Sequence, residues 1–223
     1  MSRLVRALRA PCAWPPLSSD VKSHRTTGYL AFDATYSSVD QSLISFAWNG
    51  KHAAEFEDVN QAFRWGVVDY CFAHPTVPSV LLVSHLFLAD ADWSREAWGS
   101  PHHFAQLGAL LLERGGADSI DTFSVGFGRS FDTFGACHAM SLSPHLLAEL
   151  SAATILAVAS APDESSRDRL TAVRDLFTKL TSGTASQGWA TVAPGTPVSN
   201  VRIVWPRWYQ RMWDKITGRG DAT

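Results

Sequence analysis

Apolar positions change their spacing along the chain, and each spacing predicts a type of element. Ile44, Phe46 and Trp48 alternate with small or polar residues, a period of two that is typical of a strand. The Asn-Gly pair that follows favours a tight hairpin turn. Residues 79–89, SVLLVSHLFLA, are almost continuously apolar, as in a central strand buried on both faces. Together these patterns predict six strands, over residues 28–36, 42–48, 51–56, 79–89, 121–128 and 133–141.

Four segments carry apolar residues at helical spacing and predict helices in the body of the chain. Each begins at a polar residue that suits an N-cap, in two cases followed by proline in the first turn. The third helix is apolar nearly all round, so we expect it to be buried between layers. Glycines are expected to end the second and fourth helices. The predicted starts are Asp58, Ser100-Pro101, Ser143-Pro144 and, for the fourth helix, Asp163 or Ser165.

The C-terminal stretch WPRWYQRMWDK mixes aromatic rings with basic residues, and helical phasing separates the two. The rings and other apolar side chains fall on one stripe, whereas Arg207 and Arg211 lie on the other sides. This segregation favours an amphipathic helix that docks on its own domain or on a second subunit. Binding to a partner protein, a membrane surface or nucleic acid is a weaker alternative. The stripe consists of Trp205, Trp208, Tyr209, Met212, Trp213 and Ile216.

The order of predicted elements lacks a regular alternation of strand and helix. It predicts an α+β fold, with a mixed or mainly antiparallel sheet covered by helices and a C-terminal amphipathic helix. The expected organisation is a basic arm over residues 1–25, a core domain over 26–182, a linker-like loop over 183–200 and the amphipathic helix over 201–223.

Charge is distributed unevenly. Residues 1–25 carry five basic and one acidic side chain, and residues 201–223 carry five and two, so the rest of the chain has a net charge of −9 against a total of −2. The expected arrangement is that the basic ends fold back on an acidic body. An acidic body repels a polyanion, which disfavours nucleic acid as the partner.

The number and spacing of the cysteines and the length of the apolar runs indicate the cellular compartment of the protein. Three cysteines with wide spacing predict neither a disulfide scaffold nor a zinc cluster, and they fit a reducing cytoplasm. No apolar run reaches the roughly 18 residues that span a bilayer. The N-terminal segment is basic but lacks a long apolar stretch, which disfavours a secretory signal. The sequence therefore predicts a soluble, cytoplasmic protein.

Motifs for common cofactors and nucleophiles are incomplete. GFGRSFDTFG, residues 126–135, lacks the third glycine of a dinucleotide-binding loop, and no GK[ST] or GxSxG sequence occurs. We interpret the glycines of this segment as positions where an aromatic ring or another backbone packs closely. No cofactor and no metal is expected.

Ionisable residues concentrate between residues 84 and 103, at the end of the predicted central strand. Loops at strand ends often build functional sites. Two carboxylates and two imidazoles there suit general acid–base catalysis or binding of a divalent metal. The spacing matches no metal motif, so a solvated loop is the leading interpretation. If the protein is a hydrolase-type enzyme, its candidate catalytic residues are Asp90, Asp92, His102 and His103, supported by Asp33 or His138.

The leading functional hypothesis is a non-enzymatic protein that binds another protein, as an adaptor, an inhibitor of the immunity type or an assembly component. Homo-oligomerisation is compatible with it. The chain has nine tryptophans, a residue enriched at binding hot spots. A hydrolase-type enzyme and a nucleic-acid-associated protein that uses the basic ends are the alternatives. The candidate partner-binding residues are Trp93, Trp98, Trp205, Trp208, Trp213, Arg207 and Arg211.

Overall fold

The structure is a computed structural model that describes residues 28–185. This part of the chain is built from helices. Of these residues 71% are helical and none forms a strand, so the predicted α+β sheet is wrong. The helices are α1 (28–35), α2 (Gln61–Ala73), α3 (Val80–Ala97), α4 (Phe104–Gly115), α5 (Ile120–Phe127), α6 (Phe131–Cys137), α7 (Pro144–Ala159) and α8 (Glu164–Thr181), and short 3₁₀ helices cover Ser38–Leu43, Ala53–Glu55 and Gly116–Ser119.

Helix α3 lies at the centre of the fold. It packs against α2, α4, α5 and α6, and α8 joins this group by packing on α5. Phe87 of α3 stacks on Phe104 of α4 and Phe123 of α5, with ring centroids 4.7 and 5.5 Å apart. These three rings are fully buried and form the middle of the core.

The predicted central strand over residues 79–89 is wrong, because this segment is the first half of α3. Ser79 caps the helix by accepting a hydrogen bond from the backbone N–H of Leu82. The segment that was expected to be a loop, DADWSREAWG, continues the helix as far as Ala97. Burial follows helical spacing along the whole length, at Leu82, Val83, Leu86, Phe87, Asp90, Ala91 and Ser94.

The predicted strands over residues 121–128 and 133–141 are also wrong, because both segments contain short helices. In α5, the buried positions Ile120, Phe123 and Phe127 fall on one helical face. Ser130 begins α6 by accepting a hydrogen bond from the backbone N–H of Thr133. Apolar residues in such short segments fit either periodicity, which is why the sequence pattern misled.

The three predicted strands nearest the N-terminus are also wrong. Residues 28–35 of this segment form α1, whose Tyr29 and Phe32 pack against Phe63 of α2. The predicted strands over 42–48 and 51–56 are 3₁₀ turns and extended loop. One antiparallel bridge, between Trp48 and Asp58, is the part of the expected hairpin that forms. This loop is held by side chains rather than by a strand ladder.

The four helices predicted in the body of the chain are confirmed as α2, α4, α7 and α8. Ser143 and Asp163 cap α7 and α8 as expected, and Gly183, with φ at +68°, follows the end of α8. Helix α2 instead begins after Asn60, because the carboxylate of Asp58 turns into the core.

Helix α7 differs from the prediction in its burial. It forms a hairpin with α8 through residues 160–163, and only Leu147, Leu150 and Thr154 are buried. Its opposite face is open among the described residues, with Ile155 and Leu156 exposed at 59% and 71%. The expectation that α7 is enclosed between two layers is therefore wrong for this part of the chain.

The basic arm over 1–25, the amphipathic segment over 201–223 and most of the linker-like loop over 183–200 lie outside the described residues. Within residues 28–185, no helix is both long and apolar enough to cross a membrane.

Candidate functional site

A buried guanidinium between two carboxylates connects the loop before α2 to the centre of the fold. Nη2 of Arg64 lies 2.7 Å from Oδ2 of Asp58, and Nε of Arg64 lies 2.8 Å from Oδ1 of Asp90. All three side chains are fully buried. Asp58 also accepts hydrogen bonds from the backbone N–H groups of Ala47 and Asn60, each at 3.1 Å. Burial of these charges is tolerated because each has a partner of opposite sign.

Asp90 accepts two further hydrogen bonds. The indole N–H of Trp65 donates to Oδ1 at 3.1 Å, and Nε2 of His103 lies 2.7 Å from Oδ2. His103 is the donor in this contact, because an ionised carboxylate only accepts. We call Asp58, Arg64, Asp90 and His103 the ion network. It links α2, α3, the residue before α4 and the loop before α2.

The four candidate catalytic residues are brought together only in part. Asp90 and His103 form the direct contact that an Asp-oriented general base requires. Asp92 pairs instead with Arg129, at a partly exposed position. His102 is exposed, and its ring centroid lies 5.2 Å from that of His103. The carboxylate of Asp90 is enclosed and bonded to three donors, and the catalytic role of these four residues stays a prediction.

His102 lines a cavity of about 490 Å³ beside α4. Phe72, Gln106 and Glu113 contribute to the same cavity, and the ring of Phe72 lies 6.2 Å from that of His103. The cavity therefore borders the outer side of the ion network. Among the described residues, no three His, Cys, Asp or Glu side chains come together to hold a metal ion.

A second cavity, of about 380 Å³, lies between the end of α3 and the loop before α2. The loop contributes rings from one side and α3 contributes two indoles from the other. We call this cavity the aromatic groove. Its lining consists of His52, Ala53, Phe56, Trp93, Glu96, Ala97 and Trp98.

Trp98 stands at the end of α3 in an unusual conformation. Its side chain is 84% exposed, and its backbone is left-handed, with φ of 56° and ψ of 47°. Ala53, on the other side of the groove, also has φ of 56°. These two are the only non-glycine residues with positive φ among residues 28–185. Left-handed backbone is costly for residues with a Cβ atom and often marks functional sites.

Trp93 forms the inner wall of the groove. Its ring meets Phe56 edge-on, with centroids 5.9 Å apart, and lies 5.6 Å from Trp65. The indole N–H of Trp93 is buried and has no hydrogen-bond partner within the described residues.

The ion network fixes the two walls of the aromatic groove relative to each other. Phe56 precedes Asp58 by two residues, and Trp93 follows Asp90 by one helical turn. Arg64 bonds both carboxylates, so it ties the loop wall to the α3 wall beneath the rings. Stacking of Phe46 on Trp48 and Phe56 extends the loop wall.

The other buried side chains that could react have surroundings typical of a structural role. Burial raises the pKa of the Cys71 thiol to about 12 and raises the pKa of Cys137 as well, so neither forms a thiolate near neutral pH. His138 donates from Nδ1 to the carbonyl of Phe134 at 2.8 Å, and burial lowers its pKa. Asp33 accepts a hydrogen bond from the backbone N–H of Ser79 at 3.3 Å. Neither Asp33 nor His138 adjoins the ion network.

Sequence reasoning missed Arg64, Asp58 and Phe56 as parts of a site. The available signal was a single arginine in the apolar segment AFRWGVV, which requires a buried counterion if it faces the core. Trp93 and Trp98 were singled out, and they line one groove. The remaining candidate partner-binding residues lie outside the described residues: Trp205, Trp208, Trp213, Arg207 and Arg211.

Comparison with known proteins adds no assignment, because no protein-family model, curated protein or solved structure matches the chain.

Proposed function

We propose that the protein binds another protein through the aromatic groove, as an adaptor, an inhibitor or an assembly component. The observation that carries the proposal is the position of Trp98, which is 84% exposed and held in a left-handed conformation at the rim. Stability alone disfavours both properties. An exposed indole gains nothing from burial, and its backbone conformation is one that glycine adopts at lower cost.

The composition of the groove supports this proposal. Tryptophan is the residue most enriched at binding hot spots, where it fills or forms well-packed pockets. A volume of about 380 Å³ is at the small end for a ligand site and accommodates one or two side chains of a partner.

Preorganisation is a second support. Binding costs less when the groove is already formed, because fewer side chains lose freedom on association. The buried Arg64 bonds to Asp58 and Asp90 hold both walls in place before any partner arrives. A rigid aromatic surface of this kind favours a persistent complex over a transient encounter.

We propose a cytoplasmic location for this activity. Cys71 and Cys137 are unpaired thiols inside the core, and proteins of oxidising compartments more often use their cysteines in disulfides.

The test compares tagged full-length wild type, Trp98→Ala and Val39→Ala as baits in extracts of the native host. Val39 is a suitable control because it is 83% exposed and does not line the groove. We expect a protein that wild type and Val39→Ala retain and that Trp98→Ala loses. With the purified partner, Kd should rise by about tenfold or more for Trp98→Ala. A partner retained equally by all three baits contradicts the proposal.

A hydrolase-type enzyme is the second candidate, and the 2.7 Å contact between Asp90 and His103 favours it. In this case the cavity beside α4 is the substrate site, since it borders His103 through Phe72 and His102. Turnover of small activated esters by wild type, lost in His102→Ala with unchanged folding, supports the candidate. Absence of turnover across a panel of acyl chains removes it.

A further inference from the structure

An apolar stripe runs along the open face of α7. Within the sixteen residues of this helix only His145 and Glu149 are ionisable, and both stand in its first two turns. The exposed residues on the open face repeat at offsets of 0, 4, 7, 8 and 11, which is the spacing of a helix that packs on another helix. We call them the α7 stripe: Ala148, Ala152, Ile155, Leu156 and Ala159.

The described residues cover only the other side of α7. Helix α8 packs along that side, and residues 116–119 add a smaller contact. A helix that is apolar nearly all round requires cover on two sides. Ile155 and Leu156 are 59% and 71% exposed, so no element within residues 28–185 covers this face.

The C-terminal segment 205–216 has a stripe that matches this face in length and spacing. Its apolar side chains have offsets of 0, 3, 4, 7, 8 and 11, and both stripes span twelve residues, or about 17 Å of helix. Their sizes are also complementary. The α7 stripe has three alanines, and the C-terminal stripe has three tryptophans and a tyrosine, so large side chains meet small ones.

The length of the chain after α8 allows this segment to reach α7. The short connection over residues 160–163 makes α7 and α8 antiparallel, so the end of α8 lies beside the start of α7. Residues 186–204 then provide nineteen residues, which span up to about 60 Å when extended. Helix α7 is about 24 Å long. The segment therefore reaches the full length of the stripe in its own chain.

We propose that residues 205–216 dock as an amphipathic helix along the α7 stripe of the same chain. Their apolar stripe covers Ile155 and Leu156, while Arg207, Arg211 and Lys215 face solvent. The surface is distinct from the aromatic groove, and the proposal is independent of partner binding there.

The first experiment uses disulfide trapping in the full chain with Cys12→Ser. Ala152→Cys and Met212→Cys are placed near the middle of the two stripes, so their proximity does not depend on helix direction. Mild oxidation should give an intrachain disulfide in the monomer, seen on a non-reducing gel and mapped by mass spectrometry. The matched control pairs Ala152→Cys with Gln210→Cys, which lies on the polar side of the predicted helix and should react at least several-fold more slowly.

Three outcomes overturn the proposal. A disulfide that forms mainly between chains assigns the stripe to a second copy, and equal rates for positions 210 and 212 show that the segment does not dock in phase. The absence of any cross-link for the 152–212 pair is equally decisive against it.

The second experiment is a thermodynamic cycle with Leu156→Ala and Trp208→Ala in the full chain. Each variant should lower Tm by several degrees, and the double variant should lower it by less than the sum, because both remove the same contact. Leu30→Ala, at a position that is 50% exposed on α1, is the control and should combine additively with Trp208→Ala. Additive effects of Leu156→Ala and Trp208→Ala contradict the docking.

Discussion

Nε of Arg64 donates a hydrogen bond to Oδ1 of Asp90 across 2.8 Å, and both side chains have no exposure to solvent. The same guanidinium bonds Asp58, so one cation compensates two buried carboxylates.

Removal of the Arg64 guanidinium should strongly destabilise the folded protein. Arg64→Met leaves Asp58 and Asp90 without their counterion, and we expect the free energy of unfolding to fall by about 3–5 kcal/mol. Urea denaturation measures the change. Lys51→Met is the control, because the Lys51–Glu55 pair is well exposed and such pairs contribute less than about 1 kcal/mol. Similar losses for the two variants contradict the assigned role of the network.

Substitutions of Trp98 should affect the stability of the protein and its binding to a partner in different ways. Trp98→Gly relieves the left-handed backbone, and Trp98→Ala keeps a Cβ atom there. We expect Trp98→Gly to be more stable than Trp98→Ala by about 1 kcal/mol, while both lose the partner. Differential scanning calorimetry and the binding assay check the two halves of the prediction. Equal stability of the variants shows that the conformation at 98 carries no strain.

Gly126 lies where a ring packs against the backbone of α5. A Cβ atom at this position meets Cε1 of Phe87, and Phe87 is held between Phe104 and Phe123. Gly126→Ala should therefore destabilise the protein by about 1–3 kcal/mol. Gly99→Ala is the control, because nothing lies near a Cβ atom there, and its effect should stay within about 0.5 kcal/mol. Chemical denaturation of both variants tests the contrast.

Stability should decrease on mild acidification. Burial lowers the pKa of His138 from the ordinary value of 6.5, so the unfolded chain binds a proton that the folded chain excludes. Full stability holds above pH 6.5 and is lost as the pH falls through 6.5 toward the folded-state pKa. One such proton contributes a slope of at most about 1.4 kcal/mol per pH unit.

Replacement of His138 isolates its contribution. His138→Phe should reduce the pH dependence of unfolding between pH 7.5 and 5, and part should remain because burial also lowers the pKa of His85. His145→Ala removes an exposed imidazole and should leave the slope unchanged. An unaltered slope in His138→Phe shows that this side chain does not drive the effect.

The sequence allowed the amphipathic helices to be predicted, together with the N-caps of α7 and α8, whereas α2 begins after Asn60 rather than Asp58 and α4 after His103 rather than Ser100. Ser143 and Asp163 cap helices and Gly183 follows a helix end with positive φ. These roles depend only on neighbouring residues, so they can be predicted without knowledge of the fold. The ring of Phe87 packs closely against Gly126 of GFGRSF as expected, but this glycine lies in a helix rather than in the predicted strand.

The sheet was predicted wrongly because short apolar runs carry no decisive period. SVLLVSHLFLA satisfies a strand buried on two faces, and only its continuation through Asp90 and Ser94 fixes the helical repeat. A buried aspartate and serine break an apolar pattern. The partner of Asp90, Arg64, is set by tertiary packing, whereas Ser94 donates to the backbone carbonyl of Asp90 in its own helix.

Only part of the candidate site was predicted from the sequence, because its contacts also depend on tertiary packing. Asp90 and His103 were singled out for their chemistry, and they do meet, but the position of Arg64 between Asp58 and Asp90 depends on how α2 rotates against α3. Trp93 and Trp98 were recognised by composition, whereas His52 and Phe56 join them only because the intervening loop folds back onto α3.

The ion network also constrains how this protein changes over evolutionary time. Arg64 is the shared counterion of Asp58 and Asp90, so its loss alone leaves two buried carboxylates without a guanidinium partner. Homologous sequences should therefore keep these three residues together or exchange them together for apolar ones. Such joint variation would identify distant members of the lineage even where the rest of the sequence has diverged.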